Sequence, residues 1–179
     1  MTNPIPTNDP LPFLSRDHLL RKRIRWLTGF FIFGLAISGA TAIPLTGELN
    51  LLANWLGSGN GLPGLTHWLM RVRDALAQTQ MQYPFLFYGT DWLAFGHFII
   101  AIVFVGALRD PVRNRWLFDF GLIACALVIP YAFVFGGLRG IPIWWRLIDC
   151  SFGVLGFLPL WFCRRWAIEL ENLTTAARR

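Results

Sequence analysis

The stretch WLTGFFIFGLAISGATAIPL, Trp26–Leu45, decides the fold: it runs for 20 residues without a charge. At about 1.5 Å of rise per residue, an α-helix of that length crosses a hydrocarbon core of roughly 30 Å. Lipid offers the backbone no water, so a run of this kind satisfies its own hydrogen bonds as a helix. A secretory-signal reading competes, with Arg21–Arg25 as basic leader, Leu27–Gly39 as apolar core and Ala40-Thr41-Ala42 as cleavage site. The chain keeps the residues before Ala42, so the segment is read as an uncleaved first span over 26–45.

Three further apolar runs follow, and they predict helices over 88–108, 116–135 and 141–163. Asp91 lies at the start of the second, Asp119 at the start of the third, and Arg146 and Asp149 early in the fourth. Pro130 and Pro159 fall within the third and fourth, where each removes a backbone donor and favours a kink. The expected fold is therefore all-α: one polytopic membrane domain of four transmembrane helices. Composition agrees. Hydrophobic residues make up 55% of the chain and charged residues 15%, against about 25% charged in a soluble domain.

The net charge of +6 sits beside the apolar runs rather than along one polar face. It reads as a topology signal, not a nucleic-acid footprint. Twelve of the 16 basic residues fall in the 1–24 arm with Arg25, the 109–115 loop and the 164–179 tail, leaving Arg71, Arg73, Arg139 and Arg146 for the opposite side. The positive-inside rule then puts both termini in the cytoplasm of a bacterial inner membrane, which an even number of spans requires. Tryptophans near the span ends, among them Trp26, Trp92, Trp116, Trp161 and Trp166, suit the headgroup region.

Outside the spans, residues 1–15 hold four prolines and are expected not to form a helix. The 46–84 loop opens on the amphipathic run ELNLLANWLG, turns at GSGNGLPG and continues as LTHWLMRVRDALAQTQMQ, where Leu65, Trp68, Leu69, Val72 and Leu76 recur at helical spacing. Two short helices on the outer surface are predicted, either as an interfacial cover over the bundle or as a docking surface for another subunit.

Ionisable groups inside a span are expensive and are functional candidates. Asp91, His97, Arg146 and Asp149 all fall towards the outer half, and Arg146 and Asp149 share a helix face at a spacing of three. One reading is a proton, ion or polar-substrate site; the other, weighted more heavily, is a buried ion pair that fixes helix register. Asp119 is expected to pair with Arg113 or Arg115. His97, beside Gly96, is a candidate axial ligand for a haem or chlorophyll-type pigment, although hydrogen bonding within the bundle is the commoner fate of such a residue. Cys125, Cys150 and Cys163 lack any metal-binding spacing and read as small buried hydrophobes. No metal site is expected. Gly34, Ser38 and Ala42 follow small-xxx-small spacing, and Gly153 and Gly156 offer a second small face for helix packing.

Three stretches, YGTDWLAFGHF (Tyr88–Phe98), GALRDPVRN (Gly106–Asn114) and RGIPIWWRLIDCSFG (Arg139–Gly153), resemble a group of small bacterial inner-membrane proteins. The resemblance covers about the C-terminal half. It implies a four-helix membrane bundle and carries no activity; its motifs include Asp91, His97, Arg146 and Asp149.

No HExxH, GxSxG or Walker A loop appears, which weighs against an enzyme. The leading expectation is a non-catalytic accessory or scaffold subunit of a larger membrane complex, photosynthetic (reaction centre with antenna) or respiratory. Its partners would be membrane lipids and other integral membrane subunits, with no nucleic acid. Bound lipid, chlorophyll-type pigment or carotenoid would reach it through that complex. The alternative is a small membrane enzyme or proton-coupled carrier built on the Asp91, His97, Arg146 and Asp149 cluster. A regulatory sensor ranks third, because the short cytoplasmic segments offer no output domain.

Overall fold

The computed structural model describes residues 11–55 and 63–176. Among them are six α-helices, one 3-10 turn and no strand: α1 (Leu11–Ala42), α2 (Leu45–Trp55), α3 (Pro63–Gln82), the turn Pro84–Phe87, α4 (Tyr88–Arg109), α5 (Trp116–Leu138) and α6 (Ile143–Ala176). The fold is all-α. Four helical stretches, Arg16–Ala42, Pro84–Arg109, Trp116–Leu138 and Ile143–Ala176, are long and apolar enough to cross a membrane. They contain the four apolar runs of the sequence.

The helix ends differ from those runs for identifiable reasons. Helix α1 begins at Leu11, fifteen residues before the apolar run. The expectation that the arm is non-helical is corrected for residues 11–15, while residues 1–10 lie outside the described residues. Pro12 falls in the first turn, where a missing N–H loses no intrahelical bond. At its other end α1 stops at Ala42, short of Leu45, because Pro44 disfavours helical geometry in the residue before it. Helix α6 continues past Cys163 to Ala176. Arg, Glu, Leu and Ala, all strong helix formers, make up 8 of the 13 residues of that extension. The residues Arg178 and Arg179, counted with the tail, lie outside the described residues. Pro130 and Pro159 both sit inside continuous helices.

The chain divides into two compact units, with boundaries inside α1 and α4: Met1–Ile32 with Val103–Arg179, and Phe33–Ile102. In the first unit α5 and α6 form an antiparallel hairpin whose register can be followed residue by residue. Asp119 meets Arg164, Gly121 faces Leu160, Cys125 faces Gly156 and Gly153, and Gly136 faces Arg146. The glycines set the approach: a Cβ on Gly153 would stand 2.6 Å from the Cys125 carbonyl oxygen, and one on Gly121 2.6 Å from Leu160 Cδ1. Helix α1 joins antiparallel to α6 through Thr28 and Cys163, whose side chains lie 3.7 Å apart. Phe31 adds a tilted contact with Phe104 at 4.9 Å between ring centroids. Ile24, Thr28, Phe104, Ala107, Phe118, Leu160, Cys163, Ala167 and Leu170 are fully covered in this unit.

The two connections in this unit are built from the familiar motifs. In RDPVRN, Pro111 is buried and Asn114 donates Nδ2 at 3.0 Å to both the Gly106 and Asp110 carbonyls. Those bonds satisfy acceptors at the end of α4. In RGIP, Gly140 adopts φ +67°, its N–H reaches the Gly137 carbonyl at 3.2 Å, and the Ile141 N–H reaches Gly136 at 2.8 Å. That is a Schellman ending for α5, followed by a proline that cannot prolong the helix.

In the second unit the tail of α1 packs on α4 at Gly39, where a Cβ would lie 3.0 Å from the Ala94 carbonyl oxygen and 3.1 Å from His97 Cβ. Helices α2 and α3 pack together and bury Leu49, Ala53 and Leu69. They are the two helices expected in the 46–84 loop, with Pro63 in the first position of α3; residues 56–62 of the connecting turn lie outside the described residues.

Candidate functional site

The four intramembrane ionisable residues divide between the units. Asp91 and His97 belong to Phe33–Ile102, and Arg146 and Asp149 to the unit containing α5 and α6. Asp91 stands in the first turn of α4, where a carboxylate complements the helix dipole. It shares a shallow, largely apolar recess with Tyr88, Trp92 and Phe95 on the same helix. The rings meet edge-on, Tyr88–Trp92 at 5.9 Å and Trp92–Phe95 at 5.5 Å.

His97 lies within 2.8 Å of the Leu93 carbonyl through Nδ1. A carbonyl only accepts, so Nδ1 carries the proton. In the neutral ring Nε2 is then an unprotonated lone pair, the tautomer that a metal-binding histidine uses when its other nitrogen is held by a backbone oxygen. No group of three or more His, Cys, Asp or Glu side chains able to hold a metal ion exists among the described residues.

Arg146 is half-buried and donates Nε to the Ile141 carbonyl at 2.7 Å. Its aliphatic stem fills the space left by Gly136, where a Cβ would come within 2.9 Å of Arg146 Cγ and Cδ. No Arg146–Asp149 ion pair is present among the described residues. The arginine instead ties the first turn of α6 to the connection after α5, a positive charge against a helix C-terminus.

The small residues sort by contact. Gly153 and Gly156 lie against Cys125. Gly34 has no atom within 4 Å of where its Cβ would stand; the close approach on α1 falls at Gly39. Ser38 is exposed and Ala42 half-buried, and Ser38 contributes a backbone carbonyl to the Thr41 hydroxyl at 3.2 Å.

The densest polar constellation lies elsewhere. Where α1 and α6 continue beyond their apolar sections, Arg16 pairs with Glu169, Arg115 with Glu171, and Arg164 with Asp119. Arg23 lies over the Trp166 ring, and Arg165 over the Trp161 ring, each 5.7 Å from the centroid. The Asp119 partner is thus Arg164, not Arg113 or Arg115: Arg164 is level with it across the hairpin, and Arg115 is taken by Glu171. A signal for this platform existed in the tail, where Cys163, Ala167 and Leu170 recur at helical spacing opposite charged neighbours.

No protein family, curated protein or solved structure matches this chain. Four helices able to span a bilayer make it a membrane protein.

Proposed function

We propose that this chain is a non-catalytic accessory or scaffold subunit of a larger bacterial inner-membrane complex, with both termini in the cytoplasm. The observation that carries the reading is the charged helical platform. Helix α6 has 34 residues and α1 has 32, about 50 Å each against a core of roughly 30 Å. Both therefore project well past the bilayer as one ion-paired antiparallel structure, which suits a rigid contact surface for neighbouring subunits. The polar side chains within the spans support the same reading: His97 and Arg146 each bond a backbone carbonyl of their own unit. The class of assembly that fits an aromatic-rich chain with a free imidazole nitrogen is energy-transducing, either a photosynthetic reaction centre with antenna or a respiratory complex.

The test is purification from native membranes in a gentle detergent, with mass spectrometry and an absorption spectrum of the eluate. Integral membrane subunits at fixed stoichiometry are expected, with pigment or haem bands identifying the assembly. A colourless protein that elutes alone sinks the proposal. It would turn attention to the alternative, a proton-coupled carrier or enzyme in which Asp91, His97, Arg146 and Asp149 line a water-filled path.

A further inference from the structure

We infer that the basic end of this protein is a binding surface for anionic phospholipid, with phosphodiester headgroups seated against Lys22, Arg23, Arg25, Arg109, Arg113 and Arg165. The sequence shows basic residues clustered beside the spans; the structure separates them into two populations. Arg16, Arg21, Arg115 and Arg164 are neutralised by Glu169, Asp17, Glu171 and Asp119, and three of these four arginines are half-buried. Asp110, the remaining described acid at this end, accepts the Arg113 backbone N–H at 3.1 Å. Among the described residues, Lys22, Arg23, Arg25, Arg109, Arg113 and Arg165 form no ion pair. All six are exposed.

Their placement follows from contacts within one compact unit. The Arg23–Trp166 contact fixes α1 against α6. Arg164–Asp119 and Arg115–Glu171 fix the start of α5 and the loop before it against α6, and Asn114 ties that loop to the end of α4. Lys22, Arg23 and Arg25 on α1, Arg109 and Arg113 at the α4–α5 connection, and Arg165 on α6 thus share one end. Arg23 and Arg165 are additionally held over indole rings. Tryptophan settles at the headgroup level of a bilayer, and a cation over an aromatic face is retained there. Basic side chains beside a span, at headgroup depth and outside the ion pairs, are the complement of an anionic leaflet. The inference concerns lipid and stands independently of the accessory-subunit reading.

The experiment uses the full chain in nanodiscs of phosphatidylcholine mixed with phosphatidylglycerol. Lipids that stay with the protein after transfer to detergent and gel filtration are measured by mass spectrometry. Phosphatidylglycerol is expected to be enriched over phosphatidylcholine. The enrichment should fall by about tenfold or more in a Lys22→Gln/Arg25→Gln/Arg165→Gln variant, since each cation near an anionic surface contributes roughly fivefold. It should also collapse at about 0.5 M salt, where screening acts within about 5 Å. Arg71→Gln/Arg139→Gln, which removes exposed cations outside the surface, should leave it unchanged. Should the triple variant lose its helical circular dichroism, Arg109→Gln/Arg113→Gln replaces it, with a smaller fall expected. Equal retention of the two lipids overturns the inference. So does an equal loss in the Arg71/Arg139 control, retention undiminished in the variant, or displacement of phosphatidylglycerol by millimolar inorganic phosphate, which would mark a site for free anions instead.

Discussion

Gly153 and Gly34 are both interior glycines of apolar helices, and their surroundings give the same substitution opposite consequences. A methyl group on Gly153 would stand 2.6 Å from a backbone oxygen of α5 and 3.4 Å from Val128 Cβ. A carbonyl on a helix cannot swing aside as a side-chain tip does, so Gly153→Ala must push the hairpin apart. A loss of about 1–3 kcal/mol, the usual range for overpacking, is expected. Gly34→Ala meets nothing within 4 Å and removes a flexible residue from a helix, so stability should hold or rise by up to about 1 kcal/mol. Thermal unfolding of the two variants in one detergent checks this; a similar change in both would mean that α5 and α6 are not in the contact described. Arg146 shows how far one residue was legible. Its position near the outer end of a span was readable, as was the chance of a partner three residues on. What was not readable is that Gly136 and Gly137 open space for its stem, so that Nε reaches the Ile141 carbonyl. Sequence spacing gives neighbours on one helix, whereas the partner chosen here belongs to the connection before it.

At the scale of the element, hydrophobic runs located the helices long and apolar enough to cross a bilayer, because so long a stretch with so few charges suits lipid. They did not locate where those helices end. A charge terminates an apolar run but not a helix, and Arg164–Ala176 carries good helix formers beyond it. The ion pairs holding this extension are partly exposed, with side-chain exposures of 43% and 42% for Arg164 and Asp119. Each pair should therefore contribute only about 0.2–1 kcal/mol. A double-mutant cycle with Arg164→Ala and Asp119→Ala is expected to return a coupling of that size, shrinking as salt is added. Zero coupling at low salt would show that this pair does not help to hold the platform. The turn between α5 and α6 gives a sharper test. Gly140 has φ +67° and its Cβ would meet nothing within 4 Å, so Gly140→Ala isolates the backbone term. The left-handed region costs a residue with a Cβ about 1–2 kcal/mol, and the unfolding transition should drop accordingly without loss of helix content. No change would mean that the α5 ending tolerates another conformation.

For the whole molecule, the count of spans was legible because each run independently exceeds the length needed to cross. The candidate site was less so. Its four residues were chosen for their cost in lipid, and the sequence assigned all of them to the outer half, but where each side chain directs its hydrogen bond depends on local geometry that no periodicity records. His97 returning to Leu93 is such a case. Orientation rests on charge counting, and it has a direct consequence. The proposed orientation assigns residues 164–176 to the cytoplasm and residues 46–84 to the outer face. Gln80 on α3 and Thr175 on α6 are both exposed, so a cysteine at either position should react readily. The native Cys125, Cys150 and Cys163 lie inside apolar helices and give a low background. In intact bacterial spheroplasts, a membrane-impermeant maleimide is expected to label Gln80→Cys at once and Thr175→Cys only after permeabilisation. The reverse pattern would invert the protein and turn Lys22, Arg23, Arg25, Arg109, Arg113 and Arg165 to the outer leaflet. Labelling of both sites in intact spheroplasts would require an odd number of crossings, and one of the four apolar helices would then lie outside the bilayer.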